Sequence, residues 1–426
     1  MEIVAERMTL RTDGEANSTD TGSAADAQEA GRPWKPRWLH SGCCPPNDEI
    51  ALGLWEEFAQ AVPGASPYFV PSVALASRQN RGVPLVYAQW LADTHSPRLN
   101  SLAVLPFENR KFDIVGRLGW NMTVSGRRVL ENCLLGDRSP DSIHCFTNSM
   151  ATLLSSGETD FILFQDLDET CPLREALATV ARQHRLAVYY PWGPVSRWWI
   201  RFPDKPQEYW SQFSKKTRYN FRYRAKHLEH TVRCISSAEE IPAFLDAVKT
   251  VEQRTWQYRR LGLASDVQQK LELWSQWAYM GAFRSYLMEQ QGRPVAFVIG
   301  CQWKDRYTYV ETGYDPEYAT KSPGQVLLYR MLEDLIARNP PKLLDFGFGD
   351  SEYKRMFANH ETQSGPVVLV RRSVRAMMAW RLMQWRSTIG RGARRVLSKV
   401  GVLSLLRHLH RGTLAAGISE ALTCGI

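Results

Sequence analysis

The segment Asp345-Phe346-Gly347-Phe348-Gly349-Asp350-Ser351-Glu352-Tyr353-Lys354 closes an apolar run, KLLDFGF, that reads as a short strand. Asp345 and Asp350 then lie near the strand's C-terminal end, where α/β folds place ligands. Gly347 and Gly349 permit close backbone approach or a positive φ. Tyr353 and Lys354 follow on the next helical turn and offer a phenol and an ammonium for proton transfer or for holding an anion. The same residues also read as a strand-to-helix turn with an Asp cap. A kinase use of Asp-Phe-Gly is excluded, because no HRD-like or Gly-rich loop accompanies it. A second candidate is Lys321-Ser322-Pro323-Gly324-Gln325. Ser322 reads as an N-cap, Pro323 as the first helical residue and Gln325 as the partner in a capping box. Gly324 leaves the outward amides of a helix start uncovered and Lys321 adds a cation, which together suit a phosphate.

A third candidate is the stretch from Phe213 to Lys226, with six Lys/Arg and no acid. Arg218 and Arg222 there, interleaved with tyrosines, suit phosphate or RNA, while the same pattern also fits a solvated helix face. Glu252 and Glu311 are candidate bases. Strand alternation would put Tyr307, Tyr309 and Glu311 on one side.

The elements that must position these groups are clearest in the second half. A basic helix over 212–228 is followed by helices over 238–258 and 267–279, interrupted at Gly262. FRSYLMEQ, VAFVIGCQW and RYTYVETGY then form an antiparallel meander. The helix over 323–338 carries Leu327, Leu328, Met331, Leu332, Leu335 and Ile336 on one face. Strand, helix and KLLDFGF strand in that order make a βαβ unit with a parallel pair. A short helix over 350–358 and a closing strand, GPVVLVRR, complete it. Over 50–190 strands and helices alternate as a mixed α/β domain.

Three antiparallel strands feeding one βαβ unit resemble the GNAT acyltransferase superfamily. That resemblance implies an acyl-CoA donor, acetyl-CoA in the simplest case, with its pyrophosphate at Lys321–Gln325. The loop reads KSPGQV instead of the usual Gln/Arg-x-x-Gly-x-Gly/Ala. The turn followed by Tyr353-Lys354-Arg355-Met356-Phe357 resembles the CelD-like branch, named from cellulose biosynthesis, and the related Fem peptidyltransferases. Over about 198–370 this resemblance implies that Lys354 contacts phosphate or the reacting carbonyl, and it extends to the basic helix. It further implies a duplicated GNAT-like α/β fold, with domains at 34–195 and 196–372, and a saccharide or cell-envelope precursor as acceptor. Proton transfer would fall to Glu311 or Asp350, with Tyr353 beside them, and Asp345, Arg218 and Arg222 would contact acceptor or phosphate. Fem-like transfer from aminoacyl-tRNA is the competing enzyme reading, and a non-catalytic membrane-surface scaffold is the other.

The net charge of +9 over 426 residues is not spread evenly. Eleven Lys/Arg and one acid, Glu420, follow from Arg371 onward, so the preceding chain is close to neutral. The basic excess therefore supports no DNA-binding role for the folded part. Val374, Met378, Leu382, Trp385 and Ile389 recur at helical spacing in this tail, 373–426. The stripe reads either as an interfacial helix on anionic lipid, over 371–411, or as a helix docking on the body or a partner subunit. Residues 12–32 are small, polar and acidic, and the segment 1–33 is expected to be disordered. The eight cysteines lack metal-ligand spacing, so no metal is expected. With no signal-like N-terminus and no spanning apolar run, the expected place is the cytoplasm, at the inner membrane face if the tail docks there.

Overall fold

Pro140 and Pro323 each open a long helix between two strands, and proline is preorganised for that first helical position. The computed structural model describes residues 36–43, 45, 47–76, 84–91, 97–113, 121–255 and 267–399. The acidic segment 1–33, the end of the tail from 400 on and Gly262 lie outside the described residues. In chain order the elements are β1 (Arg37–Gly42), α1 (Asp48–Ala61), α2 (Pro71–Ala76), β2 (Leu85–Leu91), β3 (Arg98–Leu105), β4 (Phe107–Asp113), β5 (Asn121–Arg128) and β6 (Leu135–Gly136). Then follow α3 (Pro140–Ser155), β7 (Phe161–Asp168), α4 (Pro172–Gln183), β8 (Ala187–Tyr189), β9 (Val195–Arg201), α5 (Lys215–His227), β10 (Thr231–Ile235), α6 (Ile241–Glu252) and α7 (Val267–Tyr279). The remaining elements are β11 (Ser285–Gln290), β12 (Arg293–Trp303), β13 (Arg306–Tyr314), α8 (Pro323–Arg338), β14 (Leu343–Phe348), α9 (Glu352–Phe357), β15 (His360–Val370) and α10 (Val374–Lys399).

Contacts divide this mixed α/β chain into two units. One includes Pro45–Arg81 and Ser196–Thr362; the other holds Arg37–Cys44, Gly82–Val195 and the chain from Gln363. The units interleave, whereas the sequence suggests contiguous domains. Residues of the first half join the Ser196–Thr362 unit because Tyr68 meets Trp277 edge-on at 5.2 Å, and Lys304 Nζ donates to the carbonyls of Ala59 and Val62 at the end of α1.

In the unit built on Ser196–Thr362 the strand order is β10-β11-β12-β13-β14-β9. The meander β11–β13 is antiparallel and β13 is parallel to β14, as the spacing predicts. α8 buries Leu327, Leu328, Met331, Leu332 and Leu335 against Ala296, Val298, Tyr307 and Leu344. α6 packs on β12, whose Phe297 and Ile299 alternate to the face opposite Ala296 and Val298. β9 and β10 are not expected from the sequence; their half-exposed, polar-rich stretches gain strand character only from partners distant in the chain.

One register shift matters for the chemistry. On β12, Gly300 lies opposite Tyr309 and Ile299 opposite Glu311, leaving Val310 as an extra, bulged residue of β13. A bulge resets alternation, so Tyr307 and Tyr309 pack under α8 while Glu311 faces α7. The expectation that these three side chains share one face is therefore wrong.

The second unit repeats the theme: α3 links β5 and β7, which pair in parallel. Ile162 and Phe164 of β7 pack with α3 and α4, while Phe161 and Leu163 face α10. α10 docks through Ala376, Ala379 and Trp380, all fully buried. The stripe of larger apolar residues read from the sequence is not the docking face, since Val374, Met378 and Trp385 point outward.

Gly300 makes room for the buried Tyr307 ring: a Cβ there would lie 2.1 Å from the Tyr307 hydroxyl, which donates to the Arg284 carbonyl at 2.9 Å. Gly300→Ala should therefore lower unfolding free energy by about 2 kcal/mol, read from the denaturant midpoint. An unchanged midpoint would show that the ring can shift.

Candidate active site

The parallel pairing of β13 and β14 is short. It runs over Arg306/Leu343, Tyr307/Leu344 and Thr308/Asp345. Beyond it the β13 ladder stops, while β14 stays on β9, which it pairs from Leu343 onward, through an irregular turn that sets Phe348 opposite Arg197. The turn uses Gly347 at φ 71°, whose amide donates to Asp345 Oδ1 at 2.8 Å. The two parallel strands thus splay, and three rings line the opening: Tyr309 and Phe346 at 5.3 Å, with Tyr353 at 6.2 and 6.1 Å from them.

Asp345 sits at the closed end of this V, only 1% exposed. Its Oδ2 accepts from Arg197 Nη2 and from Arg306 Nη2, both at 2.6 Å. Burial alone would raise its pKa, but the two guanidiniums outweigh that and lower it to about 2. Such full engagement suits a clamp joining β9, β13 and β14, not the contact to acceptor or phosphate expected from the sequence. Lys354 is also turned inward: it is buried and its Nζ donates to the Phe348 carbonyl at 2.9 Å, bracing the same turn. Asp350 faces Arg355 at 3.0 Å at the surface.

At the start of α8, Ser322 adopts a left-handed conformation, φ 52° and ψ 50°, and its side chain forms no cap. The reason is the preceding 3₁₀ turn, Pro316–Lys321, which directs the Ser322 amide to the Ala319 carbonyl. The expected capping box is absent. Gln325 Oε1 instead accepts from Arg224 Nη1 of α5 at 2.8 Å. Two motifs that look independent in the sequence are thereby joined, with Phe221, Arg224, Gln325, Val326 and Tyr329 around a shallow pocket. Gly324 lies in the first turn, and the Lys321 ammonium rests 5.8 Å from the Tyr318 ring. Arg218 and Arg222 continue the basic face of α5, where Arg222 is exposed and Arg218 half-buried.

On the opposite face of β13, Lys270 of α7 bridges Glu252 at 2.9 Å and Glu311 at 3.1 Å. Burial raises the Glu252 pKa; Lys270 opposes this, and the adjacent Glu311 charge adds to it, for a net upward shift. Sequence spacing flags both carboxylates but not Lys270, whose role depends on α7 packing beside β13. No cluster of three or more potential metal ligands occurs among the described residues.

Residues 215–355 match the family model described as Acetyltransferase (GNAT) domain. This segment contains α5, the meander, α8, the splayed pair and the turn up to Arg355. A search of curated proteins finds no match. Among solved structures, FemX shares the fold, with 11% identity, a TM-score of 0.51, and coverage of 78% of this chain and 98% of that one. A tandem GNAT protein from the clavulanic acid biosynthesis pathway aligns at 12% identity and TM-score 0.42, over 76% of this chain and 96% of that chain. The C-terminal domain of a putative lysylphosphatidylglycerol synthetase from Agrobacterium fabrum aligns at 10% identity and TM-score 0.45, over 78% and 95%.

Asp345→Asn should lower stability by about 3 kcal/mol, because it leaves two guanidiniums without their shared anion. A carboxyl depressed in the folded chain contributes stability that is present above its unfolded pKa of about 3.9 and lost as pH falls through the folded value of about 2. The wild type should therefore lose its advantage over the variant across that window. Parallel acid-unfolding curves would contradict the clamp.

Proposed function

We propose that this chain is an acyltransferase that takes its acyl group from an acyl-CoA, acetyl-CoA in the simplest case, and passes it to an amine or hydroxyl acceptor. The observation that carries this reading is the splay of β13 from β14, with the Val310 bulge at its edge and the α8 start beside it. The groups present fit the donor: Arg224, Lys321 and the first-turn amide at Gly324 would hold its phosphates. When bound, an acyl-CoA supplies a thioester carbonyl.

Main-chain N–H groups of β13 near the bulge would donate to that carbonyl oxygen as it gains charge. Glu311, held by Lys270 with Glu252 alongside, would take the proton from the attacking amine or hydroxyl. The new C–N or C–O bond forms as the C–S bond breaks, and Tyr353 on the wall of the opening would protonate the departing sulfur. Lys354 and Asp345 act as positioning residues. The acceptor class, a saccharide or cell-envelope precursor, rests on the resemblance of the Tyr353–Phe357 pattern to the CelD-like branch.

Arg224→Ala should weaken CoA binding at least tenfold by calorimetry, whereas Glu311→Gln should leave binding intact and lower kcat by about 10²-fold. Because burial favours the protonated carboxyl at Glu252, turnover should rise with pH above the usual carboxylate range, and Glu252→Gln should change that profile. Wild-type protein that fails to bind CoA would contradict the proposal.

A second reading keeps the transfer chemistry but takes the acyl group from aminoacyl-tRNA. It is favoured by an exposed ring ladder on α5, with Tyr219 stacked on Tyr223 at 5.9 Å and Tyr223 on His227 at 3.9 Å. Exposed rings among Lys215, Lys216, Arg222 and Lys226 suit unpaired bases. Salt-sensitive tRNA binding abolished by Arg218→Ala/Arg222→Ala, without CoA binding by the wild type, would establish this reading over the first.

A further inference from the structure

α10 has two apolar faces, and packing within its unit uses only one. Ala376, Ala379 and Trp380 are fully buried, and Met383 packs beside them. Trp380 meets Phe112 and Phe161 edge-on at 5.2 and 5.1 Å, and Arg110 lies over its ring. At 100° per residue these side chains share one arc, while Val374, Met378 and Trp385 cluster roughly opposite them. Those three are 78%, 51% and 63% exposed. Isolated exposed apolar residues need no explanation, but a Val-Met-Trp stripe along three turns of one docked helix does.

We propose that this outward face of α10 docks on a bilayer surface rich in anionic phospholipid. Charge complementarity selects that occupant. Between Glu361 and Glu420 the sequence contains no Asp or Glu, and eleven Lys/Arg follow from Arg371. Arg381 is exposed on the stripe's side of the helix, and Arg372 is exposed just before the helix begins. Arg371 and Arg375 are drawn back onto the unit, by Asp160 at 2.5 Å and by the Thr123 carbonyl. Trp and Met suit the acyl–headgroup boundary, and arginines suit lipid phosphates. A second copy is a poorer occupant, because apposing two such helices would set arginine against arginine with no acid on either helix. Among the described residues no helix is long and apolar enough to cross a membrane, so this contact is interfacial. It goes beyond the acyl-transfer reading and does not depend on it.

Sedimentation of the full chain with vesicles of phosphatidylcholine alone, or with 30% phosphatidylglycerol, tests the idea. We expect at least tenfold tighter binding to the anionic vesicles, weakened by salt. Met378→Ser/Trp385→Ser and, separately, Met378→Glu/Trp385→Glu should each reduce it at least tenfold, with melting temperatures near that of the wild type because neither side chain is buried. Equal binding to both vesicle types, or full binding by both folded variants, would overturn the proposal. So would a wild-type dimer, seen by light scattering, that the same substitutions convert to monomer, since a second copy would then cover this face.

Discussion

One buried carboxylate between two guanidiniums holds the closed end of the candidate site. Asp345 accepts from Arg197 of β9 and Arg306 of β13 while belonging to β14, so a single side chain fixes three strands at the point where two of them part. Desolvating an isolated carboxylate at this depth would be prohibitive, and the two arginines with the Gly347 amide make it tolerable. Everything beyond that point follows from the clamp. The β13 ladder ends while β14 stays on β9, aromatic rings line the opening, and Lys354 braces the turn that follows.

The bulge at Val310 then decides which chemistry lies on which side. Without the extra residue, Glu311 would fall on the face of Tyr307 and Tyr309 and be buried under α8. With it, the carboxylate reaches Lys270 and Glu252 on the other face. A one-residue change of register exchanges the two faces of a strand. The same device separates the side proposed to bind phosphate, built from Arg224 and the α8 start, from the side proposed to accept the proton. The strand edge between them is where a carbonyl could meet both.

Much of this architecture is legible in the sequence. α8 is readable because its apolar residues repeat with helical period and a proline marks its first residue. The meander and the β13–α8–β14 unit are readable from turn residues and apolar runs. What is not legible depends on partners far apart in the chain. The Ser-x-x-Gln pattern at 322–325 is a local signal, but Gln325 is taken by Arg224, and the preceding 3₁₀ turn forces Ser322 to a positive φ. Asp345 and Lys354 stand at positions that look catalytic, yet both are buried, Asp345 held by two arginines and Lys354 by the Phe348 carbonyl. In α10 the large apolar residues stand out in the sequence, while close packing selects the alanines and Trp380, leaving the larger stripe outside.

The account turns on whether an acyl donor occupies the opening between β13 and β14. Hydrogen–deuterium exchange of the full chain with and without acetyl-CoA reads this directly at the backbone. Slower exchange at Gly324 together with Val310–Gly313 is the predicted result, since the Gly324 amide and those of β13 near the bulge would bind the donor. Saturating donor with unchanged exchange at both segments, or protection confined to α5, would contradict it.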